Sequence, residues 1–241
     1  MTDNQGHMPN RAPTAKEIER ETLSLDAYGM KVSDLLSLYP VRLDASVRKQ
    51  LILNPLIDAM AEEGWLFAGS GFFSAVFIKG GLALKIGFKV TDTGAMYAAW
   101  CRANQGKPGV PLVYSLSKFV GCYVILQRRY DKLETVWLDE EDEHFLRDVA
   151  DEYGEIKTAL NVGGSVFGTR YATVRTAAQI REFFEGIVDW DVHHSNVMMD
   201  DSGELIITDP ISYGPCSDAD DGYSYASNSG YYGYAETSET L

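Results

Sequence analysis

The chain has 241 residues, and 45% of them are hydrophobic, with 10 Phe, 14 Tyr and 4 Trp available for a core. This composition excludes disorder of the whole chain. Its 35 acidic residues against 21 basic ones give a formal charge of -14, which argues against a nucleic-acid-binding surface, because such surfaces present basic patches. No apolar run reaches the roughly 18 residues of a membrane helix and no signal peptide is visible. The three scattered cysteines suit a reducing cytoplasm.

The predicted elements begin with helices and continue with strands. Residues 1–13 are polar and predict a disordered start, and residues 14–64 predict a helical N-terminal extension that is broken at Tyr39-Pro40. Residues 65–127 predict a lobe built on an antiparallel sheet. Its predicted strands are Trp65–Ala68, Phe73–Ile78, Leu82–Phe88, Val110–Leu116 and Phe119–Leu126, and its helix runs from Asp92 to Asn104.

The second half of the chain predicts a smaller helical lobe and a tail. Residues 128–211 have a helical pattern from about Thr135 to Val188 and then a short β-hairpin. Residues 212–241 are Ser, Gly, Tyr and Asp with almost no aliphatic residues, which predicts a flexible acidic tail. Strands grouped ahead of helices predict an α+β fold with two lobes.

Two features of the strand-rich lobe suit phosphate binding. Glycines in the segment Gly69–Val76 let backbone N–H groups approach phosphate oxygens, although glycines between strands are usually only a hairpin turn. One hairpin later, the apolar run Leu82–Lys85 ends in a lysine. Alone it would be a surface lysine, but after a glycine loop its ammonium is placed to reach the α- and β-phosphates of a nucleotide.

Two further features provide carboxylate and amide oxygens. Asp191 and Asn196 have the spacing of the catalytic Asp and Asn of a protein-kinase loop, in which the Asp accepts the hydroxyl proton and the Asn binds magnesium. Asp209 follows an apolar strand and suits bridging magnesium to phosphates; the alternative is an Asp-Pro turn. The adjacent pair His193-His194 suits zinc, but no neighbouring Cys, His or HExxH pattern completes that site.

A predicted hairpin would bring these oxygens together. It pairs Val197–Met199 with Ile206–Thr208, and its turn residues are Asp200–Gly203. The ordered set of glycine loop, strand lysine, Asp-x4-Asn, hairpin and Asp therefore indicates phosphoryl transfer that uses ATP and Mg²⁺.

At these motifs the chain resembles the early serine/threonine protein kinases of T-seven-type lytic phages. The likeness covers roughly residues 65–215 and includes several runs beyond the general kinase residues. These runs are Gly69–Ala75, Lys85–Lys89, Cys101-Arg102, Gln105–Gly109, Gly121–Tyr123, Ile180-Arg181, Phe183–Ile187 and Thr208–Pro210.

The resemblance implies a reduced two-lobe protein-kinase-like fold, with an antiparallel N-lobe and a small helical C-lobe. It also implies a kinase that phosphorylates host proteins on Ser or Thr in the host cell cytoplasm. In that family the reported targets include the host transcription and RNA-processing machinery. We therefore expect host proteins as partners, with no direct nucleic-acid or membrane binding.

The motifs and the resemblance together assign the site residues. The catalytic residues would be Lys85, Asp191 and His193, the last touching the γ-phosphate when protonated, and the metal ligands would be Asn196 and Asp209. Adenine would lie between the lobes, against Ala83 and Leu126. The full nucleotide-binding set would be Gly69, Ser70, Gly71, Phe73, Ser74, Val76, Ala83, Lys85 and Leu126.

The chain also departs from ordinary protein kinases. Asp189-Trp190 stand in place of His-Arg before the catalytic Asp, and the helix Gly94–Asn104 has no Glu to pair with Lys85, for which Asp92 is a weak substitute. Two alternatives therefore remain open. One is a small-molecule phosphotransferase of the aminoglycoside-kinase type, and the other is a catalytically weak acidic protein that occupies host factors.

Serines after Asp209 predict self-phosphorylation. Phosphate on an already acidic tail would repel the cleft and close it to substrate, and the alternative is a solvated tail with harmless serines. The candidate sites are Ser212, Ser217, Ser224, Ser227 and Ser229.

Overall fold

The structure, a computed structural model, describes residues 11–39, 45–71, 73–89, 92–132, 168–191 and 196–212. In these ranges the helices are α1 (Ala15–Ser37), α2 (Ala45–Glu62), α3 (Thr93–Ala103) and α4 (Gly168–Phe184). The strands are β1 (Leu66–Ser70), β2 (Ser74–Lys79), β3 (Leu82–Gly87), β4 (Val113–Phe119), β5 (Cys122–Arg128), β6 (Asp131–Lys132), β7 (Asp189–Trp190), β8 (Val197–Met199), β9 (Leu205–Ile207) and β10 (Ile211–Ser212). The predicted α+β fold is confirmed.

The first lobe is a five-stranded antiparallel sheet in the order β1-β2-β3-β5-β4. The register places Lys85 between Val76 of β2 and Ile125 of β5. Side chains alternate between the two faces of a strand, so these three residues lie on one face. Lys85 is thereby held at the centre of the sheet, away from either edge.

The two faces of the sheet belong to two different cores. On one face, Leu84 of β3 and Val124 of β5 pack against α1 and α2. On the other face, Tyr123 and Ile125 pack with α3, α4 and the β8–β9 hairpin. The N-terminal helices therefore cover one side of the sheet and leave the other side for the second lobe.

The helices α1 and α2 share their core with the sheet. The buried positions of α1 recur at helical spacing and include Leu25, Val32 and Leu36. Gly29 lies under the ring of Phe119, where a Cβ atom would come 2.0 Å from the ring. The segment predicted as a helical extension is thus packed onto the strand-rich lobe.

The N-terminus of α1 is fixed by a capping box. The Thr14 hydroxyl accepts a hydrogen bond from the Glu17 amide, and the Glu17 carboxylate accepts one from the Thr14 amide. Arg11 forms an ion pair with Glu17 as well. Of the predicted disordered start, residues 11–13 are therefore part of the described structure, and residues 1–10 lie outside it.

The second lobe contains short strand pairs around α4. The hairpin β8–β9 pairs Val197 with Ile207, one residue earlier in its second strand than predicted. Its turn is closed by Asp200, whose carboxylate accepts hydrogen bonds from the amides of Ser202 and Glu204. Most of the helical pattern predicted before α4, at residues 133–167, lies outside the described residues.

None of the helices in the described ranges is long and apolar enough to cross a membrane.

Candidate active site

The centre of the site is an ion pair between residues 124 positions apart. The Lys85 ammonium donates a hydrogen bond to Asp209 Oδ2 at 2.7 Å. The Lys85 side chain is 13% exposed and the Asp209 side chain 39% exposed, so the pair lies at the mouth of the space between the lobes. The strand lysine and the Asp after the hairpin, predicted separately, do come together.

Hydrogen bonds to backbone carbonyls connect the three segments that carry Asp191, Asn196 and Asp209. The amide of Asp191 donates to the Pro210 carbonyl at 2.8 Å, and the Asn196 side-chain amide donates to the Asp191 carbonyl at 2.7 Å. The amide and hydroxyl of Thr208 both donate to the Asn196 carbonyl. The backbones around Asp191, Asn196 and Asp209 are therefore held as one unit.

Helix α3 holds the Asp209 segment from the other side. The Thr93 hydroxyl donates to the Ile211 carbonyl at 3.0 Å, and the Tyr97 hydroxyl donates to the Ile207 carbonyl at 2.7 Å. These two carbonyls lie on either side of Asp209. Burial raises the pKa of Tyr97 well above its ordinary value, which keeps the hydroxyl protonated and available as a donor.

Sequence reasoning missed Thr93 and Tyr97 as site residues. The sequence contains one weak indication of their role: two hydroxyl side chains four positions apart lie on one face of a helix. The absence of a Glu from α3 gives no hint that the helix holds the segment around Asp209 through hydroxyl groups.

The face of α3 towards Lys85 carries small side chains. Gly94, Ala98 and Cys101 line a crevice there, together with Lys85 and Thr208. Burial raises the pKa of the Cys101 thiol to about 12, so that thiol stays neutral and poorly reactive. Asp92 accepts a hydrogen bond from the Tyr123 hydroxyl and, unlike Asp209, makes no ion pair with Lys85.

The glycine loop connects β1 to β2 as predicted. Gly69 and Ser70 end β1, and Ser74 begins β2, with Val76 on the same sheet face as Lys85. The carbonyl of Phe73 accepts a hydrogen bond from the Phe88 amide at 2.8 Å. The loop therefore leads into β2, and its Phe73 carbonyl is bonded to the residue that follows β3, the strand that carries Lys85.

A residue of the N-terminal helices also reaches the loop. The ammonium of Lys49, on α2, donates a hydrogen bond to the carbonyl of Gly71. Sequence reasoning did not identify Lys49, because α2 was expected to precede the lobe and nothing in its sequence shows which strand it packs on.

The assignment of Leu126 to the adenine site is wrong. Leu126 is fully buried in the core shared with α1 and α2, on the face of β5 away from Lys85. Ala83 pairs with Gln127, so Ile125 and Gln127 are the β5 residues on the same face as Ala83 and Lys85. Ala83 itself is 5% exposed and lies on the same face of the sheet as Lys85.

The remaining predicted site residues are His193 and the five candidate serines for self-phosphorylation. Ser212 ends β10, opposite Asp189, so it belongs to the folded lobe and not to the predicted tail. His193 and the other candidate serines, Ser217, Ser224, Ser227 and Ser229, lie outside the described residues.

The donor set fits a metal ion that is shared with a nucleotide. Among the described residues, no group of three or more His, Cys, Asp or Glu side chains could hold a metal alone. Mg²⁺ is usually bound by one or two protein oxygens together with substrate phosphates and water. The amide of Asn196 and the carboxylate of Asp209 are ligands of that kind.

The two lobes and the converging lysine and Asp define a protein-kinase-like phosphotransferase. Residues 38–225 match the model of the family described as Bacteriophage T7 protein kinase 0.7. The chain belongs to this family.

Among solved structures, a putative fructosamine-3-kinase from Haemophilus somnus 129PT is similar to parts of the chain. The two are 14% identical, with a TM-score of 0.26, and the match covers 64% of this chain and 70% of that one. No curated protein is similar enough to the chain to count as a relative.

Proposed function

We propose that the chain transfers the γ-phosphate of ATP to Ser and Thr hydroxyls of host proteins, and to itself, in the host cell cytoplasm during infection. The observation that carries the proposal is the Lys85–Asp209 contact at 2.7 Å. It brings the lysine after the glycine loop next to the Asp that ends the catalytic hairpin, so that a phosphate ligand and a metal ligand for phosphoryl transfer lie in one site.

Each residue has a role that follows from its position. Lys85 binds the α- and β-phosphates from the sheet, and the backbone of Gly69–Ser74 covers them. Asn196 and Asp209 would hold Mg²⁺, which would supply positive charge to the phosphate oxygens. Asp191 orients the acceptor hydroxyl and takes its proton as the new O–P bond forms and the bond to the departing ADP breaks.

The acidic surface supports protein acceptors of basic character. A formal charge of -14 attracts positively charged partners and speeds their association at low salt. Host factors that bind nucleic acid carry such basic patches, which agrees with the targets that the family resemblance implies.

Intact-mass analysis after incubation with ATP and Mg²⁺ tests the proposal. We expect mass increases in whole-phosphate steps on the wild-type chain, or on host proteins when a host lysate is added. Asp191→Asn and Lys85→Ala should abolish the increases, because they remove the proton acceptor and the phosphate ligand. Asp58→Asn, an exposed carboxylate on α2, is the matched control and should behave as wild type.

The acceptor class separates this function from its alternatives. Phosphate on small amines or sugars but on no protein would identify a small-molecule kinase. No transfer to any acceptor, with host factors still retained by the Asp191→Asn chain, would identify an acidic binding protein and overturn the proposal.

A further inference from the structure

Lys85 depends on one carboxylate in the part of the chain that the structure describes. Its ion-pair partner there is Asp209, and the proposed function assigns Asp209 to the metal ion. A lysine that is 13% exposed and loses its carboxylate partner pays a desolvation penalty and is no longer held in one orientation. Helix α3 contributes no Glu that would take over. In the proposed complex the α- and β-phosphates bind Lys85, and a carboxylate beside the lysine would hold its ammonium in the orientation that this contact requires.

Asp92 lies within reach of Lys85. A Cβ atom at Gly94 would be 3.4 Å from Asp92 Oδ2 and 3.4 Å from Lys85 Nζ. The carboxylate and the ammonium are thus separated by no more than twice that distance. Because residue 94 has no side chain, only the Tyr123 hydroxyl comes closer to this position than the two charged groups.

Asp92 is also turned away from the helix that it begins. It occupies the N-cap position of α3, yet its side chain makes no capping hydrogen bond. Side chains of Asp at this position usually accept from the helix amides, and giving up that bond weakens the start of the helix. Here the carboxylate accepts from the hydroxyl of Tyr123 instead, on the side of Lys85.

Two glycines allow Tyr123 to reach Asp92. The ring of Tyr123 lies against Gly87, where a Cβ atom would come 2.0 Å from it. Its hydroxyl lies beside Gly94, where a Cβ atom would come 2.5 Å from the oxygen. Tyr123 is fully buried, so it cannot move aside easily, and side chains at these positions would displace it.

From this arrangement we infer that Asp92 becomes the carboxylate partner of Lys85 when Asp209 binds the metal–nucleotide complex, with Tyr123 holding Asp92 in position. The inference rests on the proposed function and adds a positioning residue to it. It replaces the missing Glu of α3 by an Asp at the start of the same helix, and it requires Gly94 for the contact to form.

The test compares nucleotide binding with and without metal. A fluorescent ADP analogue, MANT-ADP, is titrated into the full chain with excess Mg²⁺ and again with EDTA, and phosphate transfer from ATP is measured in parallel. In Asp92→Asn we expect the gain in affinity from Mg²⁺ to fall about tenfold, as for loss of one charge-assisted contact. Affinity in EDTA should stay within about twofold, because Asp209 still pairs with Lys85 there.

Further variants separate positioning from folding. Tyr123→Phe removes the hydroxyl that holds Asp92 and adds no atom to the core, so it should reproduce part of the loss seen in Asp92→Asn. Asp58→Asn is the charge-matched control and should leave the Mg²⁺ effect unchanged.

The outcomes distinguish this inference from the proposed function. A wild-type chain that transfers phosphate, with an Asp92→Asn variant whose Mg²⁺ effect is unchanged, would overturn the inference alone. An equal loss of affinity in EDTA and in Mg²⁺ would also overturn it, since that result indicates damage to the fold. A wild-type chain that neither binds nucleotide nor transfers phosphate would overturn the proposed function.

Discussion

Lys49 links the N-terminal helices to the glycine loop. Its ammonium donates to the Gly71 carbonyl, and burial lowers the pKa of this lysine. The contact restrains the loop before a nucleotide binds, and a restrained loop loses less entropy on binding. A single residue outside the sheet can therefore affect nucleotide affinity.

We expect Lys49→Met to raise the KM for ATP about fivefold, the size of one modest hydrogen bond, and to leave kcat nearly unchanged. Steady-state phosphate transfer measures both. Lys49→Arg keeps a donor and should restore most of the affinity, whereas Lys16→Met, an exposed lysine on α1, should have no effect. A fall in kcat at constant KM would contradict this role for Lys49.

Glu21 is a buried carboxylate that depends on its partners. It is 1% exposed and accepts hydrogen bonds from Tyr28 at 2.6 Å and Arg20 at 2.8 Å, and it pairs with Lys79 at 2.9 Å. Burial acts to raise the pKa of Glu21, but the hydrogen bonds from Tyr28, Lys79 and Arg20 outweigh it and the pKa is lowered. A carboxyl with a lowered folded-state pKa stabilises the fold above its unfolded pKa, about 4.3.

The difference in stability between wild type and Glu21→Gln should therefore depend on pH. At pH 7 we expect the variant to be less stable by about 2–3 kcal/mol, because it removes one charge from a buried network. The difference should shrink as pH falls below about 4.3, where Glu21 of the unfolded chain becomes protonated, and should be lost as pH falls through the lowered pKa of folded Glu21. Urea unfolding across this range measures it, with exposed Glu19→Gln as the control, and a difference independent of pH would contradict the prediction.

Among the elements, α3 fixes the catalytic segment through hydroxyl groups. Thr93 and Tyr97 donate to the two carbonyls that lie on either side of Asp209. An α3 helix tied in this way is not free to swing outward without breaking two buried hydrogen bonds. The packing therefore disfavours regulation by movement of this helix.

Tyr97→Phe tests this tie. The variant leaves the Ile207 carbonyl without its donor in a buried site, which should reduce the free energy of unfolding by about 1–2 kcal/mol and slow phosphate transfer by shifting Asp209. Chemical unfolding and initial rates give the two quantities. Tyr114→Phe removes a half-buried hydroxyl from β4 and is the matched control; equal effects of both variants would rule out a special role for Tyr97.

The elements differ in how far the sequence predicts them. The β2–β3 hairpin was predicted almost to the residue, because glycines follow Lys79 and alternating strands flank them. The error at Leu126 has a physical reason. All residues of β5 from Cys122 to Leu126 are buried, since both faces of the strand are covered, and a continuous apolar run carries no signal of which face a side chain takes.

The sequence indicates those parts of the candidate site that belong to short motifs, and it does not indicate contacts between residues far apart in the chain. Lys85, Asp191, Asn196 and Asp209 could be proposed from the sequence because kinase chemistry requires these residue types at fixed spacings. The contacts of Lys49 and Tyr97 depend on how helices pack on the sheet, and no short-range pattern encodes that packing. The residues whose chemistry is read from spacing were thus easier to find than the residues that position them.

For the molecule as a whole, the N-terminal helices and the sheet form one core. Leu25, Val32 and Leu36 of α1 are buried together with Leu84 and other side chains of the central strands. The lobe that carries Lys85 therefore depends on a segment far from the catalytic motifs. We expect the helices and the sheet to unfold in one cooperative transition.

A pair of substitutions on α1 tests whether the N-terminal helices and the sheet unfold together. Leu25 is 2% exposed and Leu23 on the same helix is 78% exposed. Leu25→Ala should lower the free energy of unfolding by about 2–5 kcal/mol, because it leaves a cavity in the shared core, whereas Leu23→Ala should change it by less than about 0.5 kcal/mol. Far-UV circular dichroism reports the helices, and tryptophan fluorescence reports the four tryptophans, among them Trp65, which is buried in the same core. Coincident shifts of both signals in Leu25→Ala are the expected result, and a helix signal that melts ahead of the fluorescence would show that α1 is a separate unit packed loosely on a self-sufficient lobe.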